Sequence, residues 1–367
     1  MSPEGTTLKI VIAGGGTGGH VIPALAIARV LKEEHGAELL FIGTARGLET
    51  RLVPQAGFQL ELIEVGALKN VSFATRLSTF IKLPRAVFRS RRLLRDFDAD
   101  AVLGVGGYAS GPTMLAAVFS GIPRVAFESN VVPGFANRVV ARWVTAAAVQ
   151  FPETVRSFRN AQVTGTPVRP EFFSVQARPA NAPPTLLVFG GSQGAAPLNR
   201  VMMATAASLR QIVPGLRIVH QTGERDVEAM MSAYERAGVT ATVSRFIERM
   251  WEAFAGADLL LCRSGASTVA EVAAAGRPAI FVPFPRAADD HQRRNADAFA
   301  QAGAAVLLPE SELTPERLVE TVRVLLADRA RLRSMSDAAR HLAHPDAAKA
   351  IAALIASAAG ISAGNSA

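Results

Sequence analysis

The sequence contains a single cysteine, Cys262, among its 367 residues. A lone thiol excludes an intramolecular disulfide framework and any metal site built from several cysteines. Charged residues make up only 19% of the chain and aromatic residues 6%, whereas hydrophobic residues make up 49%. That balance excludes an intrinsically disordered or fibrous chain. We therefore expect a soluble, cytosolic protein with a packed core.

Long apolar runs are also missing from the sequence. No stretch approaches the roughly 18 apolar residues that a membrane-spanning helix needs. The N-terminal segment is neither basic nor followed by a signal-peptide core, because the apolar run that begins at Leu8 ends in glycines. The net charge is +8, from 39 Lys and Arg against 31 Asp and Glu. This surplus leaves nucleic acid, anionic lipid and phosphorylated substrates open as partner classes.

Short apolar runs followed by glycine-rich loops occur in both halves of the chain. The strand candidates begin at Leu8, Leu39, Ala101, Leu186, Arg217, Leu259 and Ala279. Helical spacing follows the first of them at Pro23–Leu31, and the proline-rich segment Gly165–Thr185 predicts a polar linker. The pattern predicts an α/β protein with two facing Rossmann-like domains, parallel sheets and a central cleft.

The last part of the chain predicts one more helix. It spans Asp346–Ala358 and places an apolar stripe on one face, formed by Ala347, Ile351, Leu354 and Ile355. The residues after it, Gly360–Ala367, predict a flexible tail.

The first glycine loop, Gly14–Gly19, lies between a predicted strand and a predicted helix and is followed by His20. Glycines at this place let the backbone approach a phosphate, and the first N–H groups of the helix attract anions. The letters also fit the G-x-G-x-x-G pattern of dinucleotide-binding proteins, so an NAD-dependent oxidoreductase is one alternative. The second strand ends in Phe41–Thr44 without the carboxylate that this cofactor requires, which argues against it.

Three more loops follow strand candidates at Gly104–Pro112, Gly190–Gly194 and Arg263–Thr268. Several glycine-rich strand ends in one chain are far more specific than one. They favour a pair of substrates that both carry diphosphates.

These motifs, in this order, resemble the MurG family of N-acetylglucosaminyltransferases, which convert lipid I to lipid II in peptidoglycan synthesis. The resemblance is carried by Gly14–His20, Gly104–Pro112, Glu128–Asn130, Gly165–Arg169, Gly190–Gly194, Cys262–Glu271 and Ala287–Gln292, and covers about residues 8–345. It implies the GT-B fold, with an acceptor and membrane-associating domain at residues 1–168 and a UDP-GlcNAc domain at 169–342. A helix at 343–360 would cross back to the N-terminal domain, before a flexible tail at 361–367.

The resemblance also implies a donor site. Its residues would be Thr17, Gly18, Gly19, Asn130, Arg169, Ser192, Ile247, Ala266, Ser267, Thr268, Val269, Ala270, Glu271 and Gln292. Arg169 and Ser192 would meet the nucleotide and its diphosphate, and the Ile247 backbone would read the uracil edge. Glu271 would accept both ribose hydroxyls; the alternative is a carboxylate in the first turn of a helix that complements the helix dipole.

The implied reaction is an inverting displacement in which the acceptor C4 hydroxyl attacks the anomeric carbon and UDP leaves, forming a β-1,4 linkage. His20 is the candidate base and Glu128 a second catalytic candidate; His20 could instead bind the acceptor or cap the helix. The acceptor diphosphate would lie on Gly15, Gly16, Gly106, Gly107 and Tyr108. Neither a metal nor another cofactor is expected.

This chain departs from the family pattern at three positions. Phe127 stands where the family has His and Ser129 where it has Gln, both beside Glu128; Thr166 replaces an Asn. Phe127 cannot exchange protons, so we expect no chemical role at that position.

A basic and apolar stretch between Gly66 and Arg95 contains eight Lys or Arg and no Asp or Glu. We expect a membrane patch formed by Lys69, Phe73, Arg76, Phe80, Lys82, Arg85, Phe88 and Arg89. Such a surface favours reversible docking on anionic lipid over nucleic-acid binding; the alternative is a solvated helix face. The expected location is the cytoplasmic face of the inner membrane, as a peripheral protein.

The expected partners are UDP-GlcNAc, lipid I, the anionic membrane surface and possible cell-wall and division proteins, without nucleic acid. Two alternatives stay open beside the oxidoreductase. One is another GT-B enzyme that uses UDP-GlcNAc, such as an epimerase or a glycolipid transferase. The other is a non-catalytic lipid-binding scaffold.

Overall fold

The computed structural model describes residues 7–65, 73–179 and 181–360, with the backbone alone over 73–82. The chain forms two compact units. The first comprises Met1–Pro167 together with Asp346–Ala367, and the second comprises Val168–Pro345.

The first unit is built on a parallel sheet of seven strands in the order β3-β2-β1-β4-β5-β6-β7. The strands are β1 Lys9–Ala13, β2 Glu38–Gly43, β3 Gln59–Leu62, β4 Ala101–Gly104, β5 Arg124–Glu128, β6 Ala146–Val149 and β7 Ala161–Val163. Its central strands are apolar on both faces, as a sheet covered by helices on each side requires. Along β1, Ile10 and Ile12 join one buried cluster while Val11 and Ala13 join another.

Six α-helices of this unit lie within the residues that the structure describes. They are α1 Gly18–His35, α2 Glu49–Gln55, α3 Phe73–Phe97, α4 Ser110–Ser120, α5 Phe135–Val140 and, from the other end of the chain, α14 Ala347–Ala358; a 3-10 helix spans Pro152–Ser157. Helix α14 packs against α1, β4 and β5. Its Ile351, Ala352, Ile355 and Ala356 are buried in the same cluster as Ile10 and Ile12.

The second unit has a parallel sheet of six strands in the order β10-β9-β8-β11-β12-β13. The strands are β8 Thr185–Phe189, β9 Arg217–Gln221, β10 Thr240–Ser244, β11 Leu259–Cys262, β12 Ala279–Phe281 and β13 Ala305–Leu307. The α-helices are α6 Pro170–Phe173, α7 Ala196–Ile212, α8 Val227–Ala237, α9 Met250–Ala255, α10 Ala266–Ala275, α11 His291–Gln301, α12 Pro315–Ala327 and α13 Arg329–His341. Two 3-10 helices lie at Ala288–Asp290 and Glu310–Glu312.

The predicted fold class, two Rossmann-like domains with parallel sheets, is confirmed. The prediction of a polar linker at Gly165–Thr185 is wrong in one respect. Residues 170–173 form α6, and Phe172 is fully buried against Phe254 with a ring-centroid distance of 5.1 Å. The segment is held in place because the Phe172 ring packs on aromatic side chains of the second unit.

The stripe predicted on the last helix needs a smaller correction. Leu354 is only partly buried, whereas the alanines Ala352 and Ala356 lie inside the core. Small side chains fit there because the helix lies close against its neighbours. The predicted tail at 361–367 lies outside the described residues.

Candidate functional site

In the first unit, two glycine loops meet at the carboxyl ends of adjacent strands. The strand order reverses between β1 and β4, so the loops that follow these strands face each other at the edge where α/β proteins bind ligands. A Cβ atom on Gly14 would lie 2.5 Å from the Gly106 carbonyl oxygen, and one on Gly107 would lie 2.3 Å from that of Gly15. The glycines are needed because the two backbones touch. The structure thus brings together most of the residues expected to bind the acceptor diphosphate.

His20 lies at the same edge, as the third residue of α1. Its backbone N–H donates to the carbonyl of Thr17, which precedes the helix, at 3.1 Å. The imidazole lies over Gly106, where a Cβ atom would come within 2.9 Å of His20 Nε2. The candidate base is therefore next to the glycine loops. Thr17, Gly18 and Gly19 adjoin it at the start of α1, and Tyr108, which follows Gly107 in the second loop, has an exposed side chain.

Glu49, which was not predicted as a site residue, is hydrogen-bonded to the backbone of the first glycine loop. Its side chain is 2% exposed. One carboxylate oxygen accepts from the Gly16 N–H at 2.7 Å, and the other accepts from the N–H and hydroxyl of Thr44, both at 3.0 Å. The Gly16 N–H is therefore occupied by the protein itself. Glu49 belongs to none of the sequence motifs, and nothing in the sequence links it to Gly16, which lies 33 positions earlier.

Glu128 lies at the end of β5 and is 4% exposed. One carboxylate oxygen accepts from the N–H and the side-chain amide of Asn130, at 3.0 and 3.1 Å. The other accepts from the Gly134 N–H at 2.8 Å and the Asn137 side chain at 2.9 Å. Four donors occupy the carboxylate, so its geometry fits the positioning of the loop that carries Asn130 better than direct contact with a substrate.

The residues that depart from the family pattern are all buried. Phe127 is 1% exposed in the core of the first unit, Ser129 is 4% exposed and Thr166 is 3% exposed. The ring at position 127 thus packs against other core side chains.

In the second unit, Arg169 and Glu271 form an ion pair with a nitrogen–oxygen distance of 3.8 Å. The Arg169 guanidinium also lies over the ring of Trp251, 4.6 Å from its centroid, and over Phe172. Burial raises the pKa of Glu271 to about 7, against the opposing effect of Arg169. Trp251 was missed in the sequence because only the fold brings α9 beside the segment that precedes α6.

Helix α10 begins at Ala266, after a three-residue loop that follows β11, and contains Ser267, Thr268, Val269, Ala270 and Glu271. Glu271 is the sixth residue, in the second turn, so the alternative of a first-turn carboxylate is wrong. In the part of the chain that the structure describes, no group hydrogen-bonds the buried Ser267 hydroxyl. A helix N-terminus with an unpartnered buried hydroxyl favours an anionic ligand.

Gln292, the second residue of α11, is hydrogen-bonded to segments that follow β11 and β12 at the carboxyl edge of the sheet. Its side-chain oxygen accepts from the Phe284 N–H at 3.0 Å, and its backbone carbonyl accepts from the Ser264 hydroxyl at 2.8 Å. Ser192 is exposed in the loop after β8, and the Ile247 N–H donates to the Gln221 side chain at 2.8 Å. The predicted donor residues of this unit thus follow β8, β10, β11 and β12 or precede α6.

Part of the predicted membrane patch lies within the described residues. Lys69 and the side chains of Phe73, Arg76, Phe80 and Lys82 lie outside the described residues. Of the remainder, Phe88 is 69% exposed, Arg85 is exposed, and Arg89 pairs with Glu61 at 3.1 Å. Across residues 7–65, 73–179 and 181–360, no helix combines the length and apolarity needed to cross a bilayer. Within the same ranges, no three His, Cys, Asp or Glu side chains are grouped to hold a metal ion.

Two family models match the chain. The N-terminal domain of glycosyltransferase family 28 matches residues 10–149, and the C-terminal domain of the same family matches residues 185–351. Together they span both units.

Named relatives match nearly the whole chain. The UDP-N-acetylglucosamine–N-acetylmuramyl-(pentapeptide) pyrophosphoryl-undecaprenol N-acetylglucosamine transferase of Geobacter metallireducens is 43% identical over 94% of this chain and 97% of its own length. The enzyme of the same name from Solibacter usitatus is 44% identical over 95% and 96%. The crystal structure of Acinetobacter baumannii MurG superposes with a TM-score of 0.82 at 36% identity, covering 95% of this chain and 99% of that one.

Proposed function

This chain belongs to glycosyltransferase family 28 and, within it, to the MurG enzymes, and from this we propose its reaction. It transfers N-acetylglucosamine from UDP-GlcNAc to the N-acetylmuramyl group of lipid I, which yields lipid II for peptidoglycan. The observation that carries the donor assignment is the Arg169–Glu271 pair beside the N-terminus of α10.

In the proposed donor site, the diphosphate lies on the first turn of α10, where backbone N–H groups and the Ser267 hydroxyl face it. Arg169 adds a positive charge, and its planar guanidinium is oriented by the ring of Trp251. These groups stabilise the charge that develops on UDP as it leaves. Glu271 accepts the two ribose hydroxyls through its two oxygens, Ser192 contacts the nucleotide, and Gln292 and Asn130 contact the sugar.

We propose that the displacement inverts the anomeric centre. The acceptor C4 oxygen forms a bond to the anomeric carbon, the bond from that carbon to the UDP oxygen breaks, and its electron pair leaves with UDP. His20 takes the proton of the attacking hydroxyl. A helix N-terminus disfavours an imidazolium ion, which suits a residue that must begin the reaction as a neutral base.

On the acceptor side, Gly106, Gly107 and the N-terminus of α1 are proposed to bind the lipid diphosphate beside Tyr108. The Gly16 N–H does not contribute as long as Glu49 holds it. Glu128 acts as a positioning residue for Asn130. The exposed Arg85 and Phe88 belong to a surface that docks on anionic lipid at the cytoplasmic face of the membrane.

One incubation tests the function. The purified protein is mixed with UDP-GlcNAc and a lipid I analogue, and released UDP and the β-1,4 disaccharide are measured. Formation of both in equal amounts supports the proposal, whereas UDP-GlcNAc epimerisation or hydrolysis without disaccharide would contradict it. In parallel, equal sedimentation with neutral and anionic vesicles would contradict the electrostatic part of membrane docking.

A further inference from the structure

One buried side chain connects two loops that the sheet order places apart. Gln221 is the last residue of β9, which lies between β8 and β10, and it is 2% exposed. Its side-chain nitrogen donates to the Gly191 carbonyl at 2.8 Å, in the glycine loop after β8. Its side-chain oxygen accepts from the Ile247 N–H at 2.8 Å, in the segment after β10. A single amide thus joins both loops at the carboxyl edge of the sheet.

The backbone that carries Gln221 is itself fixed by close contacts. A Cβ atom on Gly194 would lie 1.9 Å from the Thr222 carbonyl oxygen, and one on Gly223 would lie 2.4 Å from that of Gln193. The glycine loop after β8 is therefore pressed directly on the end of β9.

A buried polar network holds the same place from the core side. The Asn199 side chain donates to the Thr222 carbonyl at 3.0 Å and accepts from His220 Nε2 at 3.1 Å. His220 Nδ1 in turn accepts from the Tyr234 hydroxyl at 2.8 Å. The backbone on both sides of Gln221 is therefore fixed, and the side-chain amide has little freedom to turn away from its two partners.

The contact with Ile247 has a chemical consequence. Because Gln221 occupies the Ile247 N–H, the carbonyl is the group of that residue left to pair with a ligand. A carbonyl can accept the N3–H of uracil, whereas the neutral cytosine ring carries no hydrogen on N3 and presents an acceptor there. Fixing the orientation of this peptide therefore favours uracil over cytosine.

We propose that Gln221 is a positioning residue that holds the glycine loop after β8, which carries Ser192, and the Ile247 segment after β10 in the places where they contact the diphosphate and the base of a uridine diphosphate, and that it thereby sets the preference for uracil. This inference rests on the proposed function, because it takes the nucleotide to bind at this edge. Gln221 acts through Gly191 and Ile247 and does not itself contact the reacting atoms.

Calorimetric titration of the full chain with UDP, CDP and uridine tests the proposal, together with kcat and KM for UDP-GlcNAc. Gln221→Met removes both hydrogen bonds at similar size. It should weaken UDP binding by about tenfold and CDP binding by a smaller factor, because CDP shares the loss at the Gly191 loop but has no N3–H for the Ile247 carbonyl to accept. It should also raise KM with kcat nearly unchanged. Gln211→Met, on the exposed side of α7 in the same unit, is the matched control.

Gln221→Glu separates the two contacts. The ionised carboxylate still accepts from Ile247 but opposes the Gly191 carbonyl, so the preference for UDP over CDP should persist while UDP loses its advantage over uridine.

Three results decide the matter. UDP binding by Gln221→Met that equals or exceeds that of the wild type would overturn the proposal, since the freed Ile247 N–H would then serve the ligand. An equal loss for UDP and CDP would reduce Gln221 to general packing and would also overturn it. A wild type that binds neither UDP nor UDP-GlcNAc would instead refute the proposed function.

Discussion

Glu271 combines a partly buried carboxylate, an ion pair with Arg169 at 3.8 Å and a proposed role in ribose binding that depends on its charge. Its pKa is raised to about 7 by burial, so the group changes its protonation within the physiological range. The protonated form has one good acceptor oxygen, whereas the ionised form has two and also attracts Arg169. We therefore expect KM for UDP-GlcNAc to rise as pH falls below about 7.

The measurement is KM for UDP-GlcNAc between acidic and mildly basic pH, with Glu271→Gln as control. The donor itself has no ionisation near neutrality, and His220 does not interfere because burial lowers its pKa to about 3. The variant should bind more weakly with a flat profile; a wild-type profile as flat as that of the variant would contradict the assignment. The contribution of Glu271 to the free energy of unfolding should fall as pH rises from the ordinary Glu pKa to about 7, whereas donor binding should improve over the same range. The reason is that Glu271 loses its proton at lower pH in the unfolded chain than in the folded one.

His20 gives the second prediction at this scale. If it accepts the proton of the attacking hydroxyl, His20→Ala should lower kcat by about a hundredfold or more, because general bases contribute on that order. UDP binding, measured separately, should stay close to that of the wild type. A near-normal kcat for His20→Ala would show that His20 is not the base and that its role is acceptor binding or helix capping.

Glu49 gives the third prediction. Gln at this position can keep the Thr44 contacts through its carbonyl, but its NH₂ group would face the Gly16 N–H. Glu49→Gln should therefore destabilise the protein by about 1 to 3 kcal/mol and raise KM for the acceptor, with UDP binding unchanged. Denaturant unfolding and acceptor kinetics measure both effects; an unchanged acceptor KM would show that the loop does not need this support.

Residues that bear a motif were predictable from the sequence, whereas those that support a motif were not. The glycine loops are recognisable from their letters and their place after predicted strands, and the proposed roles of His20, Arg169 and Glu271 follow from the motifs that carry the family resemblance. Glu49, Trp251 and Gln221 act across 33, 82 and 30 positions on Gly16, Arg169 and Gly191. Only the folded chain brings such partners together.

At the scale of elements, the close approach of two loops makes glycine essential at Gly107. Gly107 has φ +82, and a Cβ atom added to it would lie 2.3 Å from the Gly15 carbonyl oxygen, whereas Gly121 has φ +70 and open space around it. Gly121→Ala should therefore show the backbone strain alone, about 1 to 2 kcal/mol, while Gly107→Ala adds a collision with backbone.

We expect Gly107→Ala to lose more stability than Gly121→Ala and, in addition, to raise KM for the acceptor. Thermal unfolding and acceptor kinetics of the two variants provide the comparison. Equal losses in both would mean that the loops separate without consequence for the acceptor.

Elements with regular apolar runs matched expectation because burial on both sides of a parallel sheet leaves a strong pattern. The segment before β8 did not match, since its prolines resemble those of a linker while Phe172 is packed in the core. Composition alone does not distinguish a proline-rich segment in solvent from one anchored by a single aromatic ring.

At the scale of the molecule, the first unit depends on a helix from the far end of the chain. Ile351 is fully buried in α14, whereas Leu354 is partly buried. Ile351→Ala should cost about 2 to 5 kcal/mol of unfolding free energy, and Leu354→Ala distinctly less. Both variants should still bind UDP, because the proposed donor residues of the second unit are not altered.

Denaturant unfolding combined with UDP titration tests this prediction. A loss of UDP affinity in Ile351→Ala under conditions where the protein remains folded would contradict it. Equal destabilisation by the two variants would contradict the assigned burial.

The return of α14 also constrains how the protein can be made. During synthesis, the ribosome completes all of residues 168–345 before it produces the helix that closes the first unit. The nascent N-terminal half must therefore wait with part of its apolar surface uncovered, while the second half already has every residue of its own core. The N-terminal half is translated first but is the second to have its complete core. It is therefore the half that most needs a chaperone during synthesis.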